Sequence, residues 1–220
     1  MQATSWTPFF VFLFPYAAPV ESPPCYAAAY MAFRIGISGA RGSFSEEAGE
    51  MYAKKNSYTE AQIVPLVSVE NVLAALEVGD IERGVFPIEN SNGGIVIEAV
   101  HAMAAHRFAI EGLFELDVHH ALLVAPGVNA DEVTAVTSHD QALKQCRQYL
   151  KRKWSGVEIV EYPDTAKAAK DVGEGTLPRT TAAIAPKRCA ALYDLDILEE
   201  SIQDLKYNYT MFVVAVKRGE

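Results

Sequence analysis

From Phe33 to Val216 the chain alternates strand-length apolar runs with helical patterns, and the joints between them are short and polar. That alternation restricts the fold to α/β, with sheets expected to be largely parallel, because short connections between a strand and the next helix pack each helix back onto its own sheet. The stretch Arg83-Gly84-Val85-Phe86-Pro87-Ile88-Glu89-Asn90-Ser91-Asn92-Gly93-Gly94-Ile95 shows the pattern most fully. It opens as a buried-strand run and passes through small and polar residues. Ile95, Val96, Ala99, Val100, Met103 and Ala104 then follow at helical spacing. A strand that turns directly into a helix leaves backbone N–H groups aimed above the sheet. With the helix dipole, they favour a carboxylate or phosphate. An ordinary turn capped by Asn90 or Ser91 is the plainer alternative.

The same device recurs along the chain. After a first strand at Phe33–Ile37, Gly39-Ala40-Arg41-Gly42-Ser43-Phe44-Ser45-Glu46 combines a glycine turn with the S-x-x-E capping box of Ser43 and Glu46. It lacks the Gly-Lys-Ser/Thr of a P-loop and the G-x-G-x-x-G fingerprint, so no nucleotide is indicated. Ser68 caps a helix through Leu76 that Gly79-Asp80 stops, Ser138-His139-Asp140-Gln141-Ala142-Leu143 opens another, and Asp164-Thr165-Ala166 a further one. Phe108–Ala125 reads as a long extended crossover and Met211–Val216 as a returning strand. The expected architecture is therefore two α/β lobes, one from about 33–110 with 202–220 and one from about 111–201. Ligands in such sheets bind at the carboxyl ends of the strands, in the crevice between lobes. The polar helix starts are expected to face it.

Composition narrows the function. A net charge of −9 without a basic block excludes a nucleic-acid surface, and Lys151-Arg152-Lys153 reads as the solvated end of a helix. Cys25, Cys146 and Cys189 have no metal-ligand spacing, and the latter two read as buried thiols. His119-His120 invites a metal, but neighbours on a strand point to opposite faces and no further ligands lie at suitable spacing, so no metal is expected. Phe9–Phe14 is too short to span a bilayer and lacks a preceding basic residue. Residues 1–30 are expected to be an extension outside the fold, or to precede the true start at Met31. The expectation is a soluble, cytoplasmic protein with no membrane partner.

The motifs together resemble the catalytic domain of prephenate dehydratase. Gly39-Ala40-Arg41-Gly42-Ser43-Phe44-Ser45, Pro87-Ile88-Glu89-Asn90-Ser91, Ser138-His139-Asp140-Gln141-Ala142-Leu143, Asp164-Thr165-Ala166, Ala182-Ala183-Ile184-Ala185, Leu192-Tyr193 and Asn208-Tyr209-Thr210-Met211-Phe212 occur in order over Arg34–Val216. The resemblance implies a two-lobed fold like the type-II periplasmic binding proteins, with the active site between the lobes. It implies conversion of prephenate to phenylpyruvate, water and carbon dioxide without metal or organic cofactor. It places catalytic roles on Asn90, Gln141 and Thr210, and binding turns at Ser43 and Ser138. Arg41, Phe44, Ser91, Gly93, His139 and Phe212 are further candidate contacts to a small dianionic substrate, and the expected assembly is a homodimer.

Two departures stand out. The family's Thr-Arg-Phe is Thr210-Met211-Phe212 here, and its Ser-His-Pro-Gln is Ser138-His139-Asp140-Gln141. Met211 is expected to leave one substrate carboxylate without its cation, with Arg41 as a candidate substitute. A regulatory ACT domain is not expected within the chain, which ends at Glu220. The alternatives are a prephenate decarboxylase or an arogenate dehydratase on the same fold, or a non-catalytic small-anion binding protein.

Overall fold

A computed structural model describes residues 32–219, which form one compact unit. The expected extension at 1–30 lies outside the described residues. The strand β1 (Arg34–Ile37) leads through α1 (Phe44–Lys55) to β2 (Gln62–Pro65), α2 (Val69–Val78), β3 (Arg83–Asn90), a two-residue β4 (Gly94–Ile95), α3 (Ile97–Ala105) and β5 (Phe108–Asp117). The chain then crosses into a second sheet. It runs through β6 (His120–Val124), β7 (Ala135–Ser138), α4 (Asp140–Gln145), α5 (Arg147–Lys153), β8 (Glu158–Glu161), α6 (Thr165–Gly173), β9 (Thr181–Pro186), α7 (Arg188–Tyr193) and β10 (Asp196–Glu199), and returns as β11 (Tyr209–Lys217).

The two sheets share one plan. In each, three parallel strands lie second–first–third, as β2-β1-β3 and β8-β7-β9. An antiparallel strand flanks the third, β11 in one sheet and β6 in the other, and β5 or β10 closes the edge. The sheets are thus mixed rather than largely parallel. The reason is that the chain passes between lobes in extended form, at Val118–His119 and before Tyr209, instead of through a crossover helix. The first crossing comes later than the expected boundary, because β5 pairs with β11 as far as Asp117.

Local signals behave as their chemistry requires. Ser43 caps α1 by accepting from Glu46 N–H, and the Glu46 carboxylate reaches back to the Gly42 N–H at 2.7 Å. Ser68 and Asp164 cap α2 and α6, and Gly79 ends α2 in the left-handed region. In contrast, Asn90–Gly94 does not turn directly into a helix. Gly94 and Ile95 fold back to pair with Asn90 and Glu89, and α3 starts only at Ile97.

β11 divides the first lobe's core by simple alternation. Phe212 and Val214 pack on the α1 side with Ile35, Ile37, Ala48 and Val85, while Val213 and Ala215 pack on the α2–α3 side with Val72, Leu73 and Phe86. Burying a side chain such as Phe212 is worth about 1.5–3 kcal/mol. Thr210 therefore lies on the α1 side and Met211 on the other. Among the described residues no helix is long and apolar enough to cross a membrane.

Candidate active site

The carboxyl end of β3, the start of β11 and the helix α4 meet where the chain passes between lobes. Asn90 sits at the centre, and its amide orientation follows from main-chain groups. The backbone N–H groups of Asn92 and Gly93 donate to Asn90 Oδ1 at 3.0 and 2.8 Å, so that atom is the oxygen. Asn90 Nδ2 then faces acceptors: Thr210 Oγ1 at 2.9 Å, Asn208 Oδ1 at 2.9 Å and the Tyr209 carbonyl at 3.3 Å. Thr210 Oγ1 is consequently an acceptor toward Asn90, and its own proton is left to donate elsewhere. Thr210 is 8% exposed, so that donor acts out of bulk water.

The free N–H groups expected at this turn are thus already used. Asn90 itself takes those of Asn92 and Gly93, and Ser91 N–H donates to the Tyr209 carbonyl at 2.8 Å. Ser91 Oγ accepts from Tyr209 N–H at 3.0 Å, so its role is to tie β11 to the turn. The turn is a scaffold for the Asn90 amide rather than an anion nest.

Gln145, which the sequence reading missed, completes the cluster. Its Nε2 donates to Asn90 Oδ1 at 3.0 Å, and its Oε1 accepts from Asn208 Nδ2 at 2.9 Å. Gln141, the expected partner, lies one helical turn earlier. Its amide covers Gly93, where an added Cβ would meet Gln141 Nε2 at 2.5 Å, and it lines a cavity of about 750 Å³ with Asn92, Lys144, Arg147 and Lys151. Residues four apart on a helix share a face, so spacing alone does not choose between the two glutamines.

Other expected contacts are placed differently. Ser138 is fully buried and donates to the Ile184 carbonyl at 2.6 Å, bracing β7 against β9. Phe212 is 1% exposed and stacks on Phe114 at 5.8 Å, which makes it core. His139 caps α4, its Nδ1 accepting from Gln141 N–H. Ser43 is buried at the start of α1, and the Phe44 ring meets His120 edge-on at 5.5 Å. That helix start is packed on α7 instead of lying open. Cys189 Sγ donates to the Gly42 carbonyl, Tyr193 Oη donates to the Arg41 carbonyl at 2.7 Å, and Arg188 pairs with Glu50 at 2.8 Å. Gly42, at φ +90, admits no side chain there, since a Cβ would meet Cys189 Sγ at 2.9 Å.

Met211 does not reach the site. It stands directly opposite Glu89 on β3 and Glu115 on β5, on the face away from Thr210. The expected loss of a substrate-binding cation is therefore not what this position reports. Arg41 is exposed in the turn before α1, on the same side as Thr210.

Burial pushes the thiols of Cys146 and Cys189 up to about 12, so neither is a ready nucleophile. His119 is exposed beside Asp117, whereas His120 is buried, and the two rings point apart. What the cluster offers is neutral hydrogen bonding: a hydroxyl donor held by an amide network, with no ionised group in the chain of contacts. Such preorganised donors stabilise negative charge that develops on a substrate oxygen.

The prephenate dehydratase family model matches residues 35–220. Arogenate dehydratase/prephenate dehydratase 6, chloroplastic, of Arabidopsis thaliana is 38% identical over 184 residues, which are 84% of this chain and 43% of that protein. The bifunctional chorismate mutase/prephenate dehydratase of Pseudomonas aeruginosa is 34% identical over 181 residues, 82% of this chain and 48% of that one. The crystal structure of prephenate dehydratase from Arthrobacter aurescens, in complex with L-Phe, superposes with a TM-score of 0.76 at 25% identity, covering 85% of this chain and 60% of that one. The chain spans about half the length of the curated relatives it matches. With the family model covering nearly the whole two-lobed unit, the chain belongs to the prephenate dehydratase family.

Proposed function

We propose that this chain converts prephenate to phenylpyruvate, with loss of water and carbon dioxide. The ring carboxylate leaves as carbon dioxide, its bonding electron pair flows into the ring, and the hydroxyl departs with the C–O pair as incipient hydroxide that takes a proton from solvent to become water. Aromatisation drives the reaction, so the protein's task is to orient the dianion and meet the charge on the departing oxygen. The observation that carries this reading is the direction of the Asn90–Thr210 hydrogen bond, which leaves the Thr210 hydroxyl as donor. Thr210 is too weak an acid for full proton transfer. It serves as a hydrogen bond that strengthens as the oxygen becomes anionic. Lys144, Arg147 and Lys151 on the neighbouring cavity wall put positive charge beside a site for a dianion, in a chain whose net charge is −9.

Arogenate is a second reading, favoured by the names of the plant relatives, because it undergoes the same ring chemistry. Purified protein is offered each substrate, with phenylpyruvate followed by absorbance and phenylalanine by chromatography. Faster formation of one product assigns the substrate. A product that keeps the hydroxyl would make the chain a decarboxylase, and binding without turnover would make it a small-anion binder.

The proposed place of action is the cytoplasm, with which two buried free thiols accord. The proposed assembly is a homodimer. It is supported by the edge strand β5, whose Ile110 and Leu113 are exposed, and sedimentation equilibrium tests it.

A further inference from the structure

His120 lies one step beyond Gln145 in the same cluster. Its Nε2 is 2.7 Å from Gln145 Oε1. The orientation of Gln145 is already decided. Asn208 Nδ2 donates to the Val118 carbonyl and so is the nitrogen, which makes the Gln145 atom facing it the oxygen. An oxygen at 2.7 Å requires a proton on His120 Nε2. The other nitrogen, Nδ1, is buried and has no hydrogen-bond partner among the described residues. A bare Nδ1 leaves only a lone pair unmatched there, whereas a protonated one would strand a donor. The ring is 3% exposed, and burial holds its pKa below the usual value. The imidazole is further confined by the Phe44 ring at its edge and by its own backbone N–H, which donates to Gln203 Oε1 at 3.1 Å.

We propose that His120, as the neutral Nε2–H tautomer, is a positioning residue for the dehydration: its Nε2–H holds the Gln145 amide in the orientation that Asn208 and Asn90 already favour, and so supports the Asn90 amide that leaves the Thr210 hydroxyl free to donate. This rests on the reading of the site given above. A different ring state breaks the chain. With Nε2 bare, Gln145 must turn its amide over, its oxygen then faces Asn90 Oδ1, and the orientation that the main chain imposes on Asn90 loses its support.

Three variants and a spectrum test it. Glutamine places its amide nitrogen near the position of Nε2, asparagine near that of Nδ1, and leucine supplies neither. His120→Gln is expected to keep kcat within about threefold of the parent. His120→Asn and His120→Leu should each lose roughly tenfold or more in kcat, with KM nearly unchanged. In the parent protein, imidazole 15N shifts should show Nε2 protonated and Nδ1 bare at neutral pH. Equal impairment of His120→Gln and His120→Leu at matched thermal stability overturns the proposal, as does a protonated Nδ1. Should the variants not fold, the parent spectrum alone decides. If the parent turns over neither prephenate nor arogenate, the functional reading fails, and the tautomer still stands or falls on the spectrum.

Discussion

The side-chain amide of Asn90 donates to the hydroxyl of Thr210 across 2.9 Å, joining the end of β3 to the start of β11, where these two residues are direct ladder partners. That bond leaves the Thr210 proton free, and under the proposed function it is the donor toward the substrate. Thr210→Val keeps the shape and removes the proton, so kcat is expected to fall roughly a hundredfold, about 3 kcal/mol, with KM little changed. Steady-state kinetics on prephenate checks this, and an unchanged kcat would move the chemistry elsewhere.

Gln145 and Gln141 separate the structural reading from the motif reading. Gln145→Leu leaves Asn90, Asn208 and His120 each short of a partner, at a cost of about 1–3 kcal/mol per buried group. More than tenfold loss of kcat is expected. Gln141→Leu removes only a cavity-lining amide and should change turnover by about threefold or less. The reverse order of impairment would restore Gln141 as the functional glutamine.

Met211 stands between Glu89 and Glu115 on the face away from Thr210. Met211→Arg would pair with exposed carboxylates, which is worth about 0.2–1 kcal/mol. A rise in Tm of roughly 0.4–4 °C is expected, diminishing with added salt, and KM for prephenate should not move. Arg41→Ala should also leave KM alone. A large fall in KM on introducing the arginine would show that this position does reach the cleft.

His106 ties α2 to α3, with Nε2 2.7 Å from Glu70 and Nδ1 3.0 Å from Glu77. Its bonds to Glu77 and Glu70 hold its pKa above the usual 6.5. A raised folded-state pKa means a stabilisation present in full below about pH 6.5 and lost as pH climbs through the folded value. Glu77 works in the opposite sense: the Arg107 N–H and His106 hold its pKa below the usual 4.5, so its share is present above that value and fades as pH falls. The gap in Tm between the parent and His106→Asn should therefore be wider at pH 6 than at pH 8. A gap that does not vary with pH would show that the ring titrates alike in the folded and unfolded states.

Much of the fold was legible residue by residue because it rests on local rules. Ser43, Ser68 and Asp164 cap their helices where a short oxygen precedes an apolar period, and Gly79 ends α2 because only glycine takes that φ freely. The motif order was enough to indicate the family, and the pair Asn90 and Thr210 came with it. What the sequence by itself could not decide was direction and distance. β11 alternates sides, so Thr210 enters the cluster while Met211 and Phe212 do not: Met211 turns to the opposite face and Phe212 stacks into the core. Gln141 and Gln145 lie on one helical face, and only tertiary packing gives them different contacts with the Asn90 turn: Gln145 hydrogen-bonds Asn90, while Gln141 lies over Gly93. The same contacts set the proton on His120, through a chain of hydrogen bonds that starts at the backbone N–H groups of Asn92 and Gly93 and the Val118 carbonyl. Asn92 and Gly93 lie far from His120 in sequence, and Val118, although its near neighbour in the chain, acts on it only through Asn208 and Gln145. Capping and periodicity act within a few residues, whereas the orientation of an amide is set by whichever donors and acceptors tertiary packing brings within about 3 Å.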